Sequence, residues 1–156
     1  MKRASLFIMI VMLGLSCDKQ RVFEEFVPLE GQSWNINNIL HINVNMVDTA
    51  QAYNVFISVR NTGTYEYSNL YLFVTAHSPK GSFIRDTVEI NLADERGKWL
   101  GKGAASVFTT YHPYRHNIRF PLRGIYTFDI EQAMWIKDLK HISDIGLMIE
   151  KSGNQQ

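Results

Sequence analysis

Apolar and polar side chains alternate one by one over most of this chain, and that spacing leaves room for only one kind of regular structure. Leu40, Ile42, Val44 and Met46 are separated by His41, Asn43 and Asn45, and Tyr53, Val55, Ile57 and Val59 by Asn54, Phe56 and Ser58. A period of two puts every second side chain on one face of an extended backbone, so each run predicts a strand with one buried face. Ile84, Asp86, Val88, Ile90 and Leu92 continue the pattern, with Asp86 an unexpected charge in the apolar register. Tyr126, Phe128 and Ile130, then Ile145, Leu147 and Ile149, supply two more strands. Leu70, Tyr71, Leu72, Phe73 and Val74 form a nearly unbroken apolar run, which predicts a central strand buried on both faces.

Turn residues punctuate these runs. Asp48-Thr49-Ala50-Gln51 links the first pair, and Asn61-Thr62-Gly63-Thr64 follows the second. Ser78-Pro79-Lys80-Gly81 predicts a hairpin between the run ending at Ala76 and the run starting at Ile84. Gly97, Gly101 and Gly103 read as a tight connection, because a dinucleotide fingerprint needs other spacing and a following helix. Residues 132–143 are irregular and have room for one helical turn. Seven to nine short strands, no long amphipathic helix and no repeat predict an all-β domain: an antiparallel β-sandwich, jelly-roll or immunoglobulin-like.

The N-terminus is different in kind. Lys2-Arg3, then about a dozen mostly apolar residues to Ser16, make a secretory signal that is short for a membrane span. Leu13-Gly14-Leu15-Ser16-Cys17 resembles the lipobox of bacterial lipoproteins, in which the cysteine thiol is acylated and becomes the new N-terminus. Gly14 stands where leucine is usual. Cys17 is the only cysteine, and acylation accounts for a lone thiol exported to an oxidising compartment. Two or three acyl chains, at roughly 0.8 kcal/mol per buried methylene, hold a protein on a bilayer where one chain does so only marginally. The expected organisation is a signal peptide at 1–16, an acylated N-terminus and tether at 17–32, the β-sandwich at 33–151 and a disordered tail at 152–156.

Removing 16 of 156 residues leaves 140, one domain by size, with 14 basic residues (16 less Lys2 and Arg3) against 15 acidic ones. A net charge near −1 without a basic stripe gives no reason to expect nucleic acid. His112 and His116, four apart, have zinc-helix spacing, but Pro113 between them and the missing glutamate predict a solvated aromatic loop rather than a metal site. No serine stands in a nucleophile elbow. Asp129 and Glu131 share one face of a strand, a common arrangement of surface carboxylates and thin grounds for a glycosidase. No catalytic residue, metal or cofactor is expected. Trp99, Tyr111 and Tyr114 remain as aromatic candidates for partner contact, with Trp99 read foremost as a plug for the open end of the sandwich.

Taken together, these residues resemble the gliding-motility lipoprotein family GldH of Bacteroidetes. The resemblance runs through Cys17-Asp18-Lys19, Val22-Phe23-Glu24-Glu25, Tyr53-Asn54-Val55-Phe56-Ile57, Arg60-Asn61 and Tyr67-Ser68-Asn69-Leu70. It continues at Asp86-Thr87, Gly97-Lys98-Trp99-Leu100-Gly101, Phe120-Pro121, Gln132-Ala133-Met134, Asp144-Ile145-Gly146 and Ile149-Glu150-Lys151. It implies a lipid-anchored, non-enzymatic envelope protein, expected at the outer membrane. Its expected partners are membrane lipid, through Cys17, and protein components of a gliding or secretion assembly that it serves as accessory or scaffold. The alternative is a carbohydrate-binding surface lipoprotein that stacks sugars on Trp99, Tyr111 and Tyr114. Asp48-Thr49-Ala50 also resembles the periplasmic O-glycosylation acceptor of the same bacteria, so Thr49 is an expected glycan site; Asp86-Thr87-Val88 fits the pattern as well.

Overall fold

A computed structural model describes residues 20–104 and 106–153. Cys17, and the signal peptide before it, lie outside the described residues, as do 154–156 of the expected tail. The chain forms eleven strands: β1 (Arg21–Pro28), β2 (Ser33–Asn35), β3 (Leu40–Met46), β4 (Tyr53–Thr62), β5 (Asn69–His77), β6 (Phe83–Asn91), β7 (Lys102–Ala104), β8 (Val107–Ile118), β9 (Gly124–Gln132), β10 (Asp138–Lys140) and β11 (Ile142–Lys151). Among the described residues the only helical piece is a single 3-10 turn at Glu30–Gln32. Three strands have only three residues, so eight carry the architecture.

Those eight pair antiparallel in two sheets, β1-β11-β4-β8 (extended by β7) and β3-β9-β5-β6. The pairing has a simple logic. β5 and β6 form the predicted hairpin, and β4 with β8, β3 with β9 and β1 with β11 pair successively farther out along the chain, alternating between the sheets. One long ribbon is thus rolled on itself, which is the jelly roll of the two expected sandwich types. β2 and β10 form a separate two-stranded ribbon at one end.

The alternating residues meet between the sheets as expected. Ile42, Val55, Ile57, Val59, Leu70, Leu72, Val74, Ile90, Ile130, Ile145, Leu147 and Ile149 are at most 1% exposed, and Trp34 of β2 is fully buried with its indole N–H donated to the Asn38 carbonyl at 2.8 Å. Four local expectations are corrected. First, β5 is central, but Tyr71 is exposed and Phe73 half-buried, because among the described residues no strand or helix packs over their face of the sheet and Phe73 is covered only by the Arg85 guanidinium, 4.7 Å from its ring centroid. Second, the tether, whose middle is expected to dock on the domain, is more regular than that: Arg21–Pro28 is an edge strand in which Phe23 and Val27 turn to the core while Glu24 and Phe26 turn out. Third, Tyr111–His116 is not a loop; it lies within β8, and Pro113 is tolerated because β7 covers only Val107–Thr109 and leaves the rest of that edge unpaired. Fourth, residues 132–143 hold the short strand β10 and no helical turn. In addition, the Ser152 amide donates to Ala52 at 2.8 Å, so this residue of the expected tail is tied to the sandwich.

Candidate functional site

The strand directions sort every connection to one of two ends. Gln20, residues 47–52, 78–82 and 119–123, and residues 152–153 lie at the first end; residues 29–39, 62–68, 92–101 and 133–137 lie at the second. A ten-residue strand such as β11 separates them by about 33 Å. The described chain therefore starts at one end and displays its longest loops at the other.

At the second end Trp135 is 88% exposed, the most exposed of the large apolar side chains described. It is also held in the left-handed region at φ 59°, which costs a non-glycine residue of order 1 kcal/mol or more. The buried side chain of Gln132, 2% exposed, holds it there. Its amide oxygen accepts from the Met134 N–H at 2.9 Å and its amide nitrogen donates to the Ile136 carbonyl, so one buried amide clamps the backbone on both sides of Trp135. Met134 turns back and accepts the Tyr71 N–H on its sulfur at 3.2 Å. Sequence reasoning passed over Trp135. The available signal was a tryptophan in a stretch with no alternation to bury it.

The aromatic candidates fall in three separate places. Trp99 is half-buried between Tyr65 and Phe108, ring centroids 6.4 and 5.9 Å away, and closes the second end of the core, the plugging role read for it first. It carries exposed Leu100 beside it. Tyr111 lies on the outer face of its sheet, where its hydroxyl reaches Glu24 of β1 at 2.9 Å; burial, then this bond, raises its pKa. Tyr114 points the opposite way. Three residues along an alternating strand already turn it inward, and β8 carries an extra residue here, since Val55 pairs with Arg115 but Phe56 with Pro113, so the bulge sets Arg115 beside Tyr114 opposite buried Val55. Its phenol donates to Asp86 Oδ2 at 2.6 Å, and burial, then that carboxylate, holds its pKa well above the ordinary value. Arg115 donates to the same oxygen, which explains the charge in the apolar register of β6: Asp86 ties the open edges of the two sheets together. Trp99 touches Phe108, and Tyr114 is six residues on, about 20 Å. The three rings form no common platform for a sugar.

Beside Tyr114 a pocket of about 280 Å³ opens between β6 and β8 at the first end, walled by Val55, Ala76, Ile84, Ile118, Leu122 and Phe128. Its lining is mostly aliphatic and aromatic, with Arg115, Arg119, Ser78 and Ser82 as the polar members, and the two serine hydroxyls bond each other at 2.6 Å rather than a base. His112 is half-buried and desolvation lowers its pKa; His116 is exposed. No group of three metal-ligating side chains occurs among the described residues. The carboxylates weighed as a catalytic pair are engaged separately: Asp129 takes His41 at 2.6 Å and His77 at 3.0 Å, and Glu131 takes Arg85 at 2.6 Å. Thr49 is half-buried in a turn whose geometry Asp48 sets, its carboxylate accepting from the Ala50 and Gln51 amides at 3.0 and 3.1 Å. Those two bonds lower the Asp48 pKa. Thr87 is exposed on the outer face of β6.

Comparison with known proteins bears on the whole chain. "Gliding motility lipoprotein GldH homolog" of Christiangramia forsetii is 35% identical over 156 residues, covering 96% of this chain and 95% of that protein. "Gliding motility lipoprotein GldH" of Flavobacterium johnsoniae is 28% identical over 157 residues, covering 96% and 97%. Among solved structures, a chain of infectious bursal disease virus, Gx strain, matches 86% of this chain and 33% of its own, at 9% identity and a TM-score of 0.29, too distant to bear on fold or function. The profile of the family described as "GldH lipoprotein" matches residues 21–149, strands β1 to β11. On that match and on relatives aligned almost end to end, the chain belongs to the GldH lipoprotein family.

Proposed function

We propose that this lipoprotein is a non-enzymatic docking component of a gliding-motility or associated secretion assembly, held at the outer membrane by acyl chains on Cys17. The first end of the sandwich stays by the bilayer, and the second end, with Trp135, is offered to a protein partner. The observation that carries the reading is the clamp on Trp135. A large aromatic side chain left in water, on a strained backbone fixed by a buried amide, has the form of an interface anchor that is rigid before binding. Leu100 and Tyr67 are exposed at the same end, and Trp99 supports the loop that presents Leu100. Confinement to a thin layer raises the local concentration of this end near its partner, so modest affinity suffices.

The test is affinity capture from cross-linked native envelopes with wild-type protein and Trp135→Ala. Recovery of motility or secretion components by the wild type, with loss in the variant, is expected. Recovery of polysaccharide-uptake proteins alone would overturn the reading. Palmitate-analogue labelling tests the anchor separately: label on the wild type and none on Cys17→Ser.

A further inference from the structure

The loops of the first end differ from the rest of the molecule in charge. Residues 47–52, 78–82, 119–123 and 152–153 carry Lys80, Arg119 and Arg123 against one carboxylate, Asp48, a net +2 (3 less 1), and Lys151, the last residue of β11, stands at the same end. The loops of the second end carry Arg96, Lys98 and Lys137 against Glu30, Glu66, Asp94 and Glu95, a net −1 (3 less 4). All four cations of the first end are exposed. Lys80, Arg123 and Lys151 make no ion pair among the described residues, and Arg119 donates only to the Ala50 carbonyl, at 3.0 Å. Apolar side chains stand exposed around them: Val47 at 67%, Phe83 at 64%, Ile125 at 58% and Ile84 at 53%.

Asp48 acts on both Lys151 and Arg123, but one carboxylate leaves the four cations in excess, and such an excess interleaved with exposed aliphatic and aromatic side chains matches the boundary of an anionic bilayer, where phosphates meet acyl chains. The position of the first described residue supports the same occupant. Gln20 lies at this end, its carbonyl accepting the Lys151 N–H at 2.7 Å. Only Asp18 to Gln20 follow Cys17 before β1 begins, so the first end can stand no more than about 10 Å from the acylated residue. We infer that the first end of the sandwich is a lipid-contacting surface: Lys80, Arg119, Arg123 and Lys151 face anionic headgroups, and Val47, Phe83, Ile84 and Ile125 enter the interfacial layer. The second end then projects from the membrane in a fixed direction. This orientation builds on acylation at Cys17, but the surface chemistry does not need it and is tested without it.

The mature chain with Cys17→Ser, which carries no acyl group, is sedimented with vesicles of phosphatidylcholine alone and of phosphatidylcholine mixed with phosphatidylglycerol. With four cations each contributing about fivefold, half-saturation is expected near millimolar lipid for the anionic vesicles only, and to weaken as sodium chloride is raised. Lys80→Gln with Arg123→Gln lowers partition about thirtyfold, and Trp135→Ala leaves it unchanged. Circular dichroism of each variant checks that the sandwich is folded. Equal partition to both vesicle types, no partition at all, or an unchanged double variant overturns the inference. So does loss of captured protein by the double variant without loss of vesicle binding, which would assign the surface to a protein. Wild-type protein that takes up palmitate while the Cys17→Ser form ignores anionic vesicles would refute the surface and leave the anchor standing.

Discussion

Replacing Gly146 with alanine tests whether β1 belongs to the sandwich or merely rests on it. A Cβ at this position would lie 2.6 Å from the Glu25 carbonyl oxygen and 2.9 Å from Phe26 Cδ1, where ordinary contact begins at 3.4 Å. The backbones of β1 and β11 must therefore separate by up to 0.8 Å (3.4 less 2.6). Overpacking of this kind costs about 1–3 kcal/mol. β1 is an edge strand whose apolar hold on the core is Phe23 and Val27, both half-buried, which contribute roughly 2 kcal/mol together. Because the two magnitudes match, the strand detaches while the other sheet pairings persist. Hydrogen exchange with mass spectrometry is expected to show amide protection in β1 falling about 5- to 150-fold, while the urea unfolding free energy falls by at most about 2 kcal/mol. Adding Phe26→Ala relieves the ring contact but not the backbone one, so it restores only part of the protection. Unchanged protection in β1, or an equal loss across all strands, would refute the reasoning. The functional consequence is geometric: a detached β1 lengthens the free chain after Cys17 from three residues to eleven, and the reach from about 10 to about 36 Å.

Trp34→Ala removes a fully buried indole and its bond to Asn38, and is expected to cost about 3–5 kcal/mol in urea denaturation. Tyr65 and Tyr114 have pKa values raised in the fold, chiefly by burial. The native state therefore holds protons that the unfolded chain gives up, and stability is full below about pH 10 and falls as pH rises through and above it, with phenolate absorbance at 295 nm from these two rings appearing only on unfolding. His112 has the opposite sense, its pKa lowered by burial, so its contribution is present above about pH 6.5 and is lost as pH falls toward the folded value; His112→Gln flattens the stability profile there.

Much of the core was readable because it depends on period. Ile42, Val44, Ile57, Val59, Val88, Ile90, Phe128, Ile130, Ile145 and Leu147 are buried as their alternation predicts, and β5 and β6 form the hairpin marked by Ser78 to Gly81. β1 was less legible because two adjacent glutamates and Pro28 mask a short alternation, and an edge strand has to bury only part of one face. The aromatic candidates were legible as residues but not as places. The bulge that sets Arg115 beside Tyr114 on Asp86, and the burial of Gln132 against β5 that lets its amide hold Trp135 out, are products of pairing between segments far apart in the chain.

Local order therefore determined that this protein is built of strands, where most of them lie and which side chains leave water, because alternation reports directly on one buried face. The tertiary structure alone decided that the ribbon rolls into a jelly roll rather than an immunoglobulin sandwich, because pairings such as β1 with β11 join residues more than a hundred positions apart. It also decided which loops share an end. That sorting placed the excess cations beside Gln20, the first described residue, and Trp135 about 33 Å away, a polarity that no single stretch of sequence contains.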